Sequence, residues 1–313
     1  MKRPIPLNLQ ALYADLAQQL PDDPPASISR RMKGGKLRLH AVHPGGHQES
    51  IGTVGEAEAE AKAAAFRAAA GRTRARRKII TALKAAGVPT PDPIASRVLS
   101  AMARNGLFEK GAVVVGTIAY QLYPIIVGDR LTMSSMYSRD VDVAVARIAI
   151  PGMASLPPMD AILREVDASF APKFHVEQKQ PSTFRDASGY KVEVLTTPGR
   201  PVTLRGLDCG AEPLAFMDYL IEDAMPVVAL IGSGVRVMVP QPIRFALHKL
   251  IIAQRRKSQE AKSQKDIAQA CELLDVLRSN DPDAVADAID EARERGPTWR
   301  KMLDRGLARC SSR

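Results

Sequence analysis

Aromatic residues, cysteines and long apolar runs are all scarce in this 313-residue chain, and each shortage removes a class of protein. Aromatics make up 4% of it, which argues against a surface that reads single-stranded bases by stacking. The three cysteines, Cys209, Cys271 and Cys310, are odd in number and widely spaced, so neither a disulfide framework nor a zinc cluster is expected. That usage points to a reducing cytoplasm. No apolar run approaches the ~20 residues of a membrane span, and the N-terminal stretch MKRPIPLNLQALYADLAQQL lacks the uninterrupted apolar core of a signal peptide. The expected protein is neither secreted nor embedded in a membrane.

What is present is an ordinary globular composition, 45% hydrophobic and 25% charged, at a length that suits one large domain or two smaller ones. The net charge of +10 is unevenly placed. Residues 1–104 hold 17 Lys and Arg against 8 Asp and Glu, an excess of +9, whereas the remainder is nearly balanced. Such asymmetry suggests a polyanionic partner, most simply nucleic acid, held by the N-terminal third. The plainer alternative is a set of solvated helices that carry arginine for solubility.

Taken in order, residues 7–20 place Leu9, Leu12, Leu16 and Leu20 at helical spacing before Pro21. Residues 36–43 alternate strictly, with Leu37, Leu39 and Ala41 on one face and Lys36, Arg38 and His40 on the other. Pro44-Gly45-Gly46 is a turn signal, and HQESIGTV completes a β-hairpin whose basic face is extended by Arg30, Arg31 and Lys33. His40 and His43 face opposite sides of the strand and His47 lies past the turn, so these histidines are read as polar hairpin residues and not as ligands. One or two helices follow over residues 56–87, carrying Arg67, Arg72, Arg74, Arg76, Arg77 and Lys78. These cations can track a phosphate backbone, although their spacing spreads them around a helix and leaves some simply facing solvent. The proline-rich VPTPDP marks a boundary near residue 93. Beyond residue 242 the chain reads as successive helices, divided at Gly296-Pro297.

The chemistry concentrates between Gly111 and Ala146. An apolar run ends at Gly116-Thr117, and a second strand presents Asp140 and Asp142 on one face while Val141, Val143 and Val145 line the other. Adjacent carboxylates repel, so such a pair calls for a cation, and hard oxygen ligands favour magnesium together with substrate phosphates. Residues 190–197 alternate again, with Lys191, Glu193 and Leu195 opposite Val192 and Val194. Glu193 joins the aspartates only if its strand lies beside theirs, which periodicity cannot show.

Gly-Thr after a strand, Asp-x-Asp in a second and a lone carboxylate in a third resemble the DNA polymerase beta-like nucleotidyltransferase superfamily. GLFEKGAVVVGTIAYQLY, RDVDVAVA, KVEVL, VPQPIRFALHKLIIAQRR and KSQKDIAQA resemble a bacterial branch known as nucleotidyltransferase-fold proteins, from the N-terminal hairpin to GPTWRKMLDRGL. The resemblance implies an α+β fold with three parts. Residues 1–93 would be a basic helix and β-hairpin appendage, 94–240 a polymerase-beta-like core of mixed sheet and helices, and 241–313 a C-terminal helical bundle.

The activity implied is transfer of a nucleoside monophosphate from a nucleoside triphosphate to an acceptor. Asp140, Asp142 and Glu193 would bind two Mg2+ ions, with Glu193 also able to take the acceptor proton. Gly116 and Thr117 would meet phosphate. Lys249 and Asp266 resemble the Lys and Asp of abortive-infection and toxin-antitoxin nucleotidyltransferases, implying a lysine on the triphosphate and an antitoxin-like partner; alternatively Lys249 only snorkels from its helix. The charge asymmetry favours RNA, tRNA included, as acceptor, with Lys33, Lys36, Arg38, Arg72, Arg74, Arg76 and Arg77 as contacts. Nucleotidylation of a protein or small molecule, and a non-catalytic binding protein that keeps the fold, are the alternatives. Two departures from the superfamily stand out: threonine replaces the usual serine after Gly116, and the gap to Asp140 is long, filled by YQLYPIIVGDRLTMSSMYS.

Overall fold

The computed structural model describes residues 3–19, 27–43, 47–132, 138–146, 156–174, 180–255 and 260–311. The expected turn at Pro44-Gly45-Gly46, the Asp-Asp-Pro-Pro break, the start of the loop after Ala146 and part of the insertion before Asp140 lie outside them.

Alternating strands and amphipathic helices form an α+β architecture around one mixed sheet. Its strands are β4 (Val113–Val115), β5 (Asp140–Val145), β8 (Lys191–Thr196), β10 (Cys209–Pro213) and β9 (Val202–Leu204), in that spatial order. β4 runs antiparallel to β5, whereas β5 and β8 are parallel. Two strands unmarked by periodicity, β6 (Ala171–Lys173) and β7 (Thr183–Arg185), complete the edge, with β7 antiparallel to the start of β8 and β10 parallel to its end. Alternation explains the placement of β5 and β8: Val141, Val143, Val192 and Val194 are fully buried, and their neighbours face the other side. Each such valine contributes about 1.5–3 kcal/mol of burial.

Helix α3 (Pro93–Arg104) packs over this sheet, started by the Asp92 carboxylate, which accepts from the Ile94 and Ala95 amides, and by Pro93 in the first turn. The Tyr190 hydroxyl donates to the other Asp92 oxygen at 2.7 Å and so ties the entry of β8 to the same helix. The insertion after β4 folds as two short helices, α4 (Gly116–Leu122) and α5 (Pro124–Val127). α6 (Met159–Arg164), α7 (Met217–Ile221) and the antiparallel pair β11 (Met225–Ala229) and β12 (Val235–Val239) fill out the core. The expected C-terminal helices are α8 (Pro242–Ala253), α9 (Glu260–Asn280), α10 (Pro282–Glu294) and α11 (Pro297–Ser311). Gly306 lets α11 cross α8 closely, since a Cβ there would press on Leu250.

The N-terminal region departs from a hairpin. Ser27–Lys33 forms a first strand, β1, antiparallel to β2 (Lys36–Val42), which pairs in turn with β3 (Gln48–Thr53). The extra strand went unseen because SISRRMK carries no apolar alternation and is largely exposed. The inner face, with Leu39, Ala41 and Ile51 buried, rests on Ala59 and Ala63 of α2, a single helix over Ala57–Ala85. Further along α2, Ile80 and Leu83 join Leu16 of α1 (Leu7–Gln18), Ile125 and Val228 in a second small core.

The cysteine expectation is overturned. Cys271 of α9 and Cys310 of α11 form a disulfide across 39 residues, and only Cys209, buried in β10, is a free thiol. Sequence separation hid the pair, because the bundle brings the two helices together. Among the described residues no helix is long and apolar enough to cross a membrane. Closing a loop of this length is worth about 2–4 kcal/mol. Cys310→Ser, or treatment with a thiol reductant, should therefore lower the unfolding free energy by that amount in urea titrations; equal stability would show that the bridge does not form in solution.

Candidate active site

The parallel register of β5 and β8 brings the predicted carboxylates together. Asp140 lies beside Lys191 and Asp142 beside Glu193, while Val115 at the end of β4 lies beside Asp142 on its other side. Thr183 and Arg185 of β7 extend the two rows past Glu193 and Lys191. Asp140, Asp142 and Glu193 thus share one face at one end of the sheet, with Asp142 and Glu193 a strand spacing of ~4.8 Å apart across the β5–β8 pair and Asp140 two residues along from Asp142. Glu193 belongs to the cluster that the sequence could only suggest.

Gly116 closes the floor. It turns the chain from β4 into α4 at a φ of 67°, and a Cβ there would collide with the Asp142 carboxylate. Thr117, the next residue, is half-buried in the first turn of α4. Asp140 accepts from the Ser138 hydroxyl two residues earlier. Asp142 is half-buried overall, but its Oδ1 is sealed from solvent and has no hydrogen-bond partner among the described residues. Burial, followed by the charges of Asp140 and Glu193, pushes the Asp142 carboxyl up from 3.8 to about 7, against the opposing pull of Lys191 and Lys249.

Lysines answer the carboxylates. Lys191 Nζ is 2.6 Å from Glu193 Oε2 and 3.9 Å from Asp140 Oδ2. Lys249 does not snorkel: it is 7% exposed, its ammonium is 2.6 Å from Asp266 Oδ1, and it lies 5.3 Å from the Phe245 ring centroid. Asp266, on α9, is itself buried and serves to fix that lysine. Lys265 is half-buried nearby, its pKa pushed down by burial and by the Lys249 charge and raised in part by Asp140 and Asp142.

Sequence reasoning passed over Lys191, Lys265 and Ser138 as catalytic neighbours. Lys191 had one available signal, its shared face with Glu193. Glu272 of α9 was also missed. It accepts from the Tyr120 hydroxyl at 2.7 Å and from the Thr132 amide and hydroxyl at 2.8 and 2.6 Å, which braces the insertion on the C-terminal helices.

The nucleic-acid candidates fare unequally. Cross-strand pairs share a face, and Arg31 pairs with Arg38 and Lys33 with Lys36, so the outer face of the N-terminal sheet carries Arg31, Lys33, Lys36 and Arg38, all exposed. Arg72, Arg74 and Arg77 are exposed on α2. Arg76 is not available: it is 3% exposed, donates to the Ser233 carbonyl at 3.2 Å and to the Thr73 hydroxyl at 3.3 Å, and so pins α2 to the turn between β11 and β12.

Oxygen donors with one buried, unpartnered carboxylate oxygen fit a hard divalent cation. As the side chains stand, no three His, Cys, Asp or Glu groups among the described residues are drawn tightly enough to hold one, and Glu193 turns to Lys191 instead.

Residues 94–294, well over half of the chain, fit the nucleotidyltransferase family model. The chain belongs to the nucleotidyltransferase family. It is accordingly a transferase that takes a nucleotide substrate. The matched span is narrower than the resemblance read from the sequence: it begins in α3 and stops with α10, leaving the N-terminal sheet, α2 and α11 outside it. No curated protein matches the chain. Among solved structures, an antigenic nucleotidyltransferase-like protein from Paracoccidioides brasiliensis is similar, 14% identical over 69% of this chain and 94% of that one, with a TM-score of 0.36.

Two outcomes test the electrostatics of this candidate site. The folded, metal-free chain keeps the Asp142 proton up to about pH 7, while the unfolded chain releases it near 3.8. The stabilisation is therefore complete at low pH and is lost as pH rises through 7. Melting temperatures of the metal-free protein should fall between about pH 4 and pH 7 and level off above it, and Asp142→Asn should flatten that slope. Lys249→Met strands the buried Asp266 carboxylate and should cost about 3–5 kcal/mol, while Lys249→Met/Asp266→Leu should recover most of it; a single variant as stable as wild type would contradict the buried pair.

Proposed function

We propose that the protein is a magnesium-dependent nucleotidyltransferase that moves a nucleoside monophosphate from a nucleoside triphosphate to RNA, tRNA among the candidates. The observation that carries the reading is the β5–β8 register, which sets Glu193 beside Asp142 and one row from Asp140. These three carboxylates would hold the magnesium ions. Bound magnesium supplies neutralisation of the triphosphate and acidifies an attacking hydroxyl.

The chain's own groups complete the site. Gly116, lacking a Cβ, lets the Asp142 carboxylate close on the strand-to-helix turn, and Thr117 beside it would donate its hydroxyl to a phosphate oxygen. Lys249, held by Asp266, supplies fixed positive charge within electrostatic reach of Asp142 and would favour a bound triphosphate. Glu193 is positioned to take the proton of the acceptor hydroxyl, provided Lys191 yields it.

RNA is favoured over protein or small-molecule acceptors by the outer face of the N-terminal sheet. Four exposed cations, Arg31, Lys33, Lys36 and Arg38, stand there in two cross-strand pairs, a spacing suited to a phosphate backbone. Glu56 is the acid they influence most directly, its carboxyl held below the usual range by the Thr53 hydrogen bonds and, to a lesser degree, by Lys36 and Arg38. On the same reading the protein works in the cytoplasm, where Cys271–Cys310 would be an unusual bond, and an antitoxin-like protein would be a partner.

Labelled nucleoside triphosphates, magnesium and total RNA should yield labelled RNA with wild type and none with Asp140→Ala/Asp142→Ala. Arg31→Glu/Lys36→Glu/Arg38→Glu should reduce RNA labelling by about tenfold or more at moderate salt while nucleotide binding stays unchanged. Labelling of protein but not RNA, indifferent to the triple charge reversal, would replace RNA with a protein acceptor.

A further inference from the structure

Lys191 sits where a metal-binding site would be expected to hold metal. Alternation on β8 puts it two residues ahead of Glu193 on the same face, and the parallel register puts it beside Asp140. Its ammonium is 2.6 Å from Glu193 Oε2 and 3.9 Å from Asp140 Oδ2, and the side chain is 19% exposed. The nearby Lys249 is held at 2.6 Å by Asp266 on α9. Three carboxylates on one sheet face repel when nothing positive lies among them. Lys191 is placed to relieve that repulsion at two of the three.

We propose that Lys191 is a built-in counter-cation of the carboxylate cluster, one that a divalent metal ion must displace in order to bind, so that it sets the affinity of the site for metal. The inference rests on the metal-dependent reading above. A lysine suits this role because its charge is compact and rides on a flexible four-carbon stem, so the ammonium can withdraw while its backbone stays in β8. Metal and ammonium compete for the same Glu193 and Asp140 oxygens, and two cations cannot share them without strong repulsion. In the exchange one cation departs as another arrives. This also frees Glu193 at the moment the site is loaded. Lys191 is in this sense a positioning residue, acting on the reaction through the metal and Glu193.

The test is metal binding to the full chain without nucleotide, with Mn2+ as the probe, read by calorimetry and by the loss of free-ion electron paramagnetic resonance signal. Lys191→Met should bind Mn2+ on the order of tenfold more tightly than wild type. Lys191→Arg, which keeps the charge, should stay near wild-type affinity. Metal-free Lys191→Met should melt below wild type and gain more on adding Mn2+. Should the Met variant fold only with metal, Lys191→Gln carries the same comparison. Binding by the Met and Gln variants that is equal to or weaker than wild type overturns the proposal while leaving the metal-dependent reading intact. Absence of Mn2+ binding in wild type and every variant overturns both.

Discussion

Parallel pairing of β5 with β8 is the constraint from which the site follows. A shift of one residue would turn Lys191 and Glu193 into the valine layer and bring Val192 and Val194 onto the cleft face, so the register is held by hydrophobic burial and not by the charged residues themselves. The Tyr190–Asp92 hydrogen bond adds a second hold at the entry of β8, on the residue adjacent to Lys191. The apolar side of the sheet therefore decides what the polar side can do. Gly116 is subject to the same geometry, because only a residue without a side chain fits beneath Asp142 once the strands are in place.

Charge balance is the second theme. The site concentrates Asp140, Asp142 and Glu193, and it meets them with Lys191 directly and with Lys249 and Lys265 from the C-terminal helices. Those helices are thus part of the site and not a separate module. Asp266 fixes Lys249, and Glu272 on the same helix fixes Thr132 and Tyr120. The segment between Gly116 and Thr132 is thereby anchored where α9 passes the cleft.

Much of this was legible in the sequence wherever a single period governs a segment. The faces of β5 and β8, the helical C-terminal third and the strand-to-helix glycine follow from local spacing alone. Strand neighbours do not, so the place of Glu193 needed the structure. β1 and β7 escaped because one has only Ile28 and Met32 among polar residues and the other is three residues long. Arg76 read as one cation in a basic run, since its burial depends on the Ser233 carbonyl, which lies 157 residues away. The Cys271–Cys310 bond was invisible for the same reason, being a product of how α9 and α11 cross. In each case the missing information was long-range contact and not residue chemistry.

Helix α2 has a mechanical consequence. Its 29 residues make a rod of about 43 Å, seated at one end by Ile80 and Leu83 and carrying the small sheet on Ala59 and Ala63 near the other. The two contact zones lie about 26 Å apart along the axis. The small sheet and its basic face are held at that distance by a helix that is also buried at Ala69 and Thr73 and pinned at Arg76. The reach of that face is thereby governed by packing at residues that never meet solvent.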